Sequence, residues 1–152
     1  MTAAAIAALV VRYGIVMLFL PFSALDKIFS FDHAVRQAQQ VFSPRPLAIA
    51  VLMVGLFVEI VCCAAIVIGV ADRAAAFVVA GYCAVTALLY KQFWKQGDFF
   101  TDPGGKGRTL FWDFLKNLSL GAGFLLLIIG TDGSGLQPFL DAPFASSHPY
   151  GR

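Results

Sequence analysis

Charge is what this sequence has least of. Only 13% of its 152 residues are Asp, Glu, Lys or Arg, about half the share of an ordinary globular domain. With 59% apolar residues and a mean hydropathy of +0.79, no soluble domain of this size could hide the apolar surface, and the long apolar runs mark a polytopic membrane protein. Histidine is confined to His33 and His148. Both lie outside the apolar runs, which excludes a haem held between two intramembrane histidines. The cysteines, Cys62, Cys63 and Cys83, form no Cys-x-x-Cys pair and sit in mid-run, so a dithiol relay has no support and they read as small core residues. There is no metal-ligand spacing, no phosphate loop after a strand, no histidine base beside a Ser or Thr and no basic patch for nucleic acid.

Four apolar runs are present. Residues 6–25 read as the first spanning helix, interrupted by Arg12 and Pro21. It has no basic leader before it and no small-x-small cleavage site after it, which predicts that it is retained. Residues 31–46, FDHAVRQAQQVFSPRP, are too polar to span, and the spacing of Phe31, Ala34, Val35, Ala38 and Val41 predicts a short helix lying on the membrane surface. Residues 47–70 give the second span, with Glu59 as its one charge. After a turn at Ala71, Asp72 and Arg73 the third span covers 74–90, and the fourth covers 110–130. The fold class is therefore all-α integral membrane: an antiparallel bundle of four transmembrane helices with a short interfacial helix between helices 1 and 2. Residues 1–130 form the bundle and 131–152 an irregular tail rich in Gly, Pro and Ser, which cannot build a core alone.

Lys27, Arg36 and Arg45 lie in or beside the loop between helices 1 and 2, and Lys91, Lys95, Lys106, Arg108 and Lys116 about the loop between helices 3 and 4. Only Arg12, Arg73 and Arg152 fall on the other side, so the positive-inside rule predicts both termini outside, in the periplasm of a double-membraned bacterium. Arg12 lies about 9 Å and Glu59 about 15 Å below the outer ends of their helices. A long arginine closes that gap, which predicts an Arg12–Glu59 ion pair, either structural or part of a proton relay or ligand clamp. Nearer the cytoplasmic side, Ser23, Asp26, Lys27, Tyr90, Lys91, Asp113, Lys116 and Asn117 fall in one layer, and Asp113, Lys116 and Asn117 share a helix face. That layer is either a ligand site or a solvated interfacial belt. Trp94 and Trp112 flank it, in the clusters Tyr90–Trp94 and Phe111–Trp112.

Arg12, Ser23 with Lys27, Glu59, Arg73, Phe93-Trp94, and Lys116-Asn117 followed by Gly121 and Gly123 together resemble the DoxX family of small four-helix bacterial inner-membrane proteins. Two positions depart from the family pattern: Lys91 stands two residues before Phe-Trp where a histidine is common, and Ser23 stands where a small glycine is usual. The resemblance implies an inner-membrane protein, with relatives associated with quinone-linked sulfur oxidation or oxidative-stress complexes. No residue set makes a self-sufficient catalytic constellation, and a part in catalysis would be that of a quinone-linked oxidoreductase subunit.

Three functions fit these observations. A redox-associated subunit would hold a quinone, its ring against the aromatic wall of Tyr90, Phe93, Trp94, Phe111 and Trp112 and its carbonyls bonded by Lys116, Asn117 or Glu59, with Asp113, Lys91 and Lys27 completing the candidate site. A noncatalytic anchor would instead dock its tail and surface helix on protein partners, or on further copies of itself, in the bilayer. A small-molecule transport component would need such oligomerisation, because one four-helix bundle has little interior to spare.

Overall fold

The computed structural model describes residues 2–129 and 135–151. The expected boundary between Gly130 and Thr131 lies outside them, as does Arg152. The regular elements of the described residues are all helices, with no strand among them. They form α1 (Ala3–Phe29), α2 (Phe31–Gln39), α3 (Arg45–Ile68), α4 (Asp72–Tyr90), α5 (Lys106–Ile129) and the short α6 (Gln137–Asp141). Four of these, α1, α3, α4 with its continuation to Lys95, and α5, are long and apolar enough to cross a membrane.

α1 and α5 start earlier than hydropathy suggests because polar groups at their ends satisfy the free backbone donors that begin any helix. Thr2 accepts from the N–H of Ala5 at 3.2 Å. Asp98 accepts from the N–H of Gly107 at 2.9 Å, so α5 begins at Lys106 rather than at residue 110. The turn between α3 and α4 is built on left-handed residues, Gly69 at φ +83° and Ala71 at φ +48°. α2 is shorter than expected: it stops at Gln39, and α3 begins one residue after Pro44, a residue whose fixed φ suits a helix start. The tail is not wholly irregular, since it carries α6.

Two spans are interrupted by π-helical turns, Leu18–Ser23 in α1 and Val58–Cys62 in α3. Pro21 explains the first, because it lacks the N–H that an α-turn would use; Leu20 before it leaves the helical region at φ −116°, ψ 108°. The second has no proline and centres on Glu59. Such wide turns occur mostly where a helix carries function, and the two lie against each other.

The main core is formed by Val16, Phe19, Val58, Cys62, Cys63, Ile66, Ala76, Val79, Cys83, Phe124 and Ile128. All three cysteines are buried and free, as their place among apolar residues suggested. α4 and α5 pack most closely, and Gly121 makes this possible: a Cβ there would meet Cys83 Cβ at 3.3 Å and the Ala80 carbonyl at 3.4 Å. Gly123 has open space around it. A second core forms where α2 lays Ala34, Val35 and Ala38 over Ala48, Leu52 and Leu56 of α3.

Candidate functional site

The polar residues of the bundle gather in two buried nodes and one half-open groove. The deepest node belongs to Glu59, 1% exposed and carried by the π-turn of α3. Its Oε1 accepts from Lys27 Nζ at 2.5 Å, Tyr82 OH at 2.8 Å and Ser23 Oγ at 3.0 Å. Lys27 also donates to Ser23 Oγ at 2.6 Å, one helical turn earlier. Its other carboxylate oxygen, Oε2, is buried with no hydrogen-bond partner among the described residues. Rings close around the node: Tyr82 lies edge-on to Phe19 at 5.9 Å, and Phe19 lies 6.2 Å from Phe124.

The second node sits at the end of the bundle where α3 turns into α4. Arg12 Nη1 pairs with Asp72 Oδ2 at 2.7 Å and donates to the Ile66 carbonyl at 2.7 Å, while Nη2 donates to Ser147 Oγ at 2.7 Å. Asp72, 0% exposed, also accepts from the backbone N–H of Ser147 at 2.9 Å and from its hydroxyl. The tail holds this position by further contacts. Ser146 Oγ donates to the Gly69 carbonyl at 2.6 Å, Tyr150 OH donates to the Val67 carbonyl, and Pro149 lies so close to Gly69 that a Cβ there would come within 2.8 Å of it.

The expected Arg12–Glu59 pair is therefore replaced by two others, Arg12–Asp72 and Lys27–Glu59. Axial position explains the exchange. Arg12 is level with Ile66, and Glu59 lies two turns further along α3, about 10 Å away at 1.5 Å per residue. Lys27 and Ser23, one turn apart on the far half of α1, are at Glu59's level instead. Lys27 thus leaves the expected layer around Lys116 and serves the interior.

The rest of that layer divides. Asp113 receives Lys91 Nζ at 3.2 Å and Lys116 Nζ at 3.5 Å, so it bridges α5 to the end of α4. Phe93, Trp94 and Phe111 do not leave a slot for a ring: Phe93 is packed between Trp94, Phe99, Phe111 and Phe114 at centroid distances of 5.0 to 5.6 Å. Trp94 is committed to Phe93 and to Phe114, and Tyr90 lines neither the α1–α5 nor the α4–α5 groove. Trp112, Lys116 and Asn117 do converge, on a groove of about 570 Å³ between α1 and α5 whose other walls are Gly14, Ile15, Leu18, Leu115, Ser119 and Leu120. Lys116 is mostly exposed there, its side chain 75% accessible. A smaller groove of about 350 Å³ between α4 and α5, from Phe77 to Leu125, has only apolar side chains, so nothing in it would orient a polar ligand. Among the described residues no group of three His, Cys, Asp or Glu side chains could hold a metal ion.

The sequence pattern of the DoxX family matches residues 7–92, more than half of the chain. The chain belongs to the DoxX family. The match takes in Arg12, Ser23, Lys27, Glu59, Asp72 and Tyr82, that is, both buried nodes apart from the tail's Ser147, whereas the Trp112 groove wall lies beyond it. With its four long apolar helices, this DoxX protein is a multi-pass membrane protein. No curated protein and no solved structure matches it.

Sequence reasoning missed Tyr82, Asp72, Ser146, Ser147 and Tyr150. Tyr82 had a detectable signal, a phenol hydroxyl in the middle of the apolar α4 that needs a partner once buried. Asp72 read as a turn residue because α4 was expected to start at residue 74.

Proposed function

We propose that this DoxX protein is a quinone-binding membrane subunit of a redox complex, with four antiparallel spans, α2 on the membrane surface and both termini on the periplasmic side of a bacterial inner membrane. The observation that carries the reading is the groove between α1 and α5: about 570 Å³, apolar along its length, with Trp112, Lys116 and Asn117 on one wall. That is the usual composition of a site for an apolar ring with a few polar substituents. Lys116 and the Asn117 amide donate to the ring carbonyls, Trp112 supplies a face, and Gly14 and Leu18 border the isoprenoid chain. Asp113 keeps Lys116 oriented through the 3.5 Å contact.

The chain has two tryptophans, so Trp94→Phe leaves Trp112 as the single emitter. A soluble quinone analogue added to that variant in nanodiscs quenches its fluorescence saturably, and Asn117→Leu in the same background weakens the quenching at least tenfold in concentration. Quenching that is linear in analogue, or unchanged by Asn117→Leu, overturns the reading.

A second reading, a noncatalytic anchor for a larger complex, is favoured by one feature. Beside the docked Ser146–Tyr150 segment the tail leaves Leu140 and Phe144 exposed, at 67% and 77%, where a partner could cover them. Copurification of a partner that is lost on Leu140→Ser and Phe144→Ser supports it; copurification unchanged by both removes it.

A further inference from the structure

Glu59 combines two features that do not occur together by default: near-complete burial and an oxygen with no hydrogen-bond partner among the described residues. Burying an acceptor unpaired is costly, and the cost is avoidable, since three donors crowd onto Oε1 while none of the described residues donates to Oε2. The arrangement has a chemical consequence. A proton added at Oε2 breaks no hydrogen bond, because every donor is held by the other oxygen. At Asp72 the same event cannot occur so simply, since one oxygen holds the Ser147 N–H and the other holds the Ser147 hydroxyl and Arg12.

We infer that Glu59 is a reversible proton-binding site inside the folded protein, taking its proton on Oε2 while Lys27, Ser23 and Tyr82 keep hold of Oε1. The ligand is the proton itself, as an oxygen with no accessible surface admits nothing larger without movement of the helices. Lys27, with its side chain 23% exposed, is the charged member of the network that reaches the protein surface, beside the half-buried Ser23 and Tyr82, so exchange runs through this partly open side of the node. The opposite end is closed by the Arg12–Asp72–Ser147 node. The ionisable groups around Glu59 are Lys27 from α1, Tyr82 and Cys83 from α4, and Cys62 and Cys63 on α3 itself; α5 brings Phe124 to the same core. Protonation leaves the Lys27 charge without its counter-charge, and Lys27 alone among these can carry a positive charge toward the surface.

The chain offers a clean test, because Glu59 is its only glutamate. Protein made by cell-free synthesis with glutamate labelled with carbon-13 at the carboxyl carbon, and placed in nanodiscs, gives one side-chain carboxyl resonance. As the pH is lowered, that resonance moves from the carboxylate to the carboxylic-acid position and back on return, while tryptophan fluorescence and helical circular dichroism stay constant. A resonance that keeps its carboxylate position until the fold is lost overturns the inference.

Discussion

Two carboxylates in this protein are equally hidden from solvent, and they are treated differently. Asp72 has both oxygens engaged, with one arginine nitrogen, a serine hydroxyl and a backbone N–H around it; among the described residues Glu59 has one oxygen engaged three times and the other not at all. A buried charge that is fully paired and hydrogen-bonded serves to hold elements together. Here those elements are α1, the α3–α4 turn and the tail. A buried charge left partly unpaired at a π-turn reduces stability, and such features persist where the chemistry of the group is used. The difference sets the Asp72 node, which clasps the fold, apart from the Glu59 node, where we infer a proton-binding site.

The largest effects are expected at the clasp. Arg12→Met leaves Asp72 buried without its counter-charge and lowers stability by about 3–5 kcal/mol, read as the midpoint of denaturation in mixed micelles. Replacing both partners, Arg12→Met with Asp72→Leu, recovers part of that loss, giving a coupling well above about 0.5 kcal/mol. Additive losses would show that the two do not act as a pair. Ser147→Ala comes next, at about 1–3 kcal/mol, because Asp72 loses its hydroxyl donor and Arg12 one acceptor. It also frees the tail, so cleavage by an added protease within residues 143–151 accelerates while the helices stay intact. A tail cleaved at the wild-type rate would mean that Ser147 does not fasten it.

The four long helices and the short amphipathic one were legible in the sequence, because in lipid the backbone must satisfy itself and apolar runs of span length have few alternatives. The buried charges were legible as candidates for the same reason: Arg12 and Glu59 stand alone in apolar runs. Their partners were not, since partner choice depends on axial level to within a turn, and the π-turns and early helix starts shift that level. Asp72 was hidden by its place in an apparent turn, and Ser147 by a tail whose composition carries no periodic signal. Lys116 and Asn117 were expected on one face of one helix, with Trp112 beside it. That this face meets Gly14 and Leu18 of α1, while Phe93 and Trp94 turn into their own ring cluster, depends on packing that no spacing rule encodes.

The smallest expected effect is the most informative. Gln has the shape of a protonated glutamate and keeps an Oε1 that can accept from Tyr82, Ser23 and Lys27. If Glu59 is a site whose neutral form fits the fold, Glu59→Gln changes stability by less than about 1 kcal/mol, whereas a structural ion pair broken from one side would lose about 3–5 kcal/mol. Asp72→Asn is the control, because its amide would face donors on both sides. Denaturation of the two variants side by side in the same micelles should show Asp72→Asn strongly destabilised and Glu59→Gln close to wild type. Equal, large losses in both would contradict the division of the buried charges into a clasp and a site.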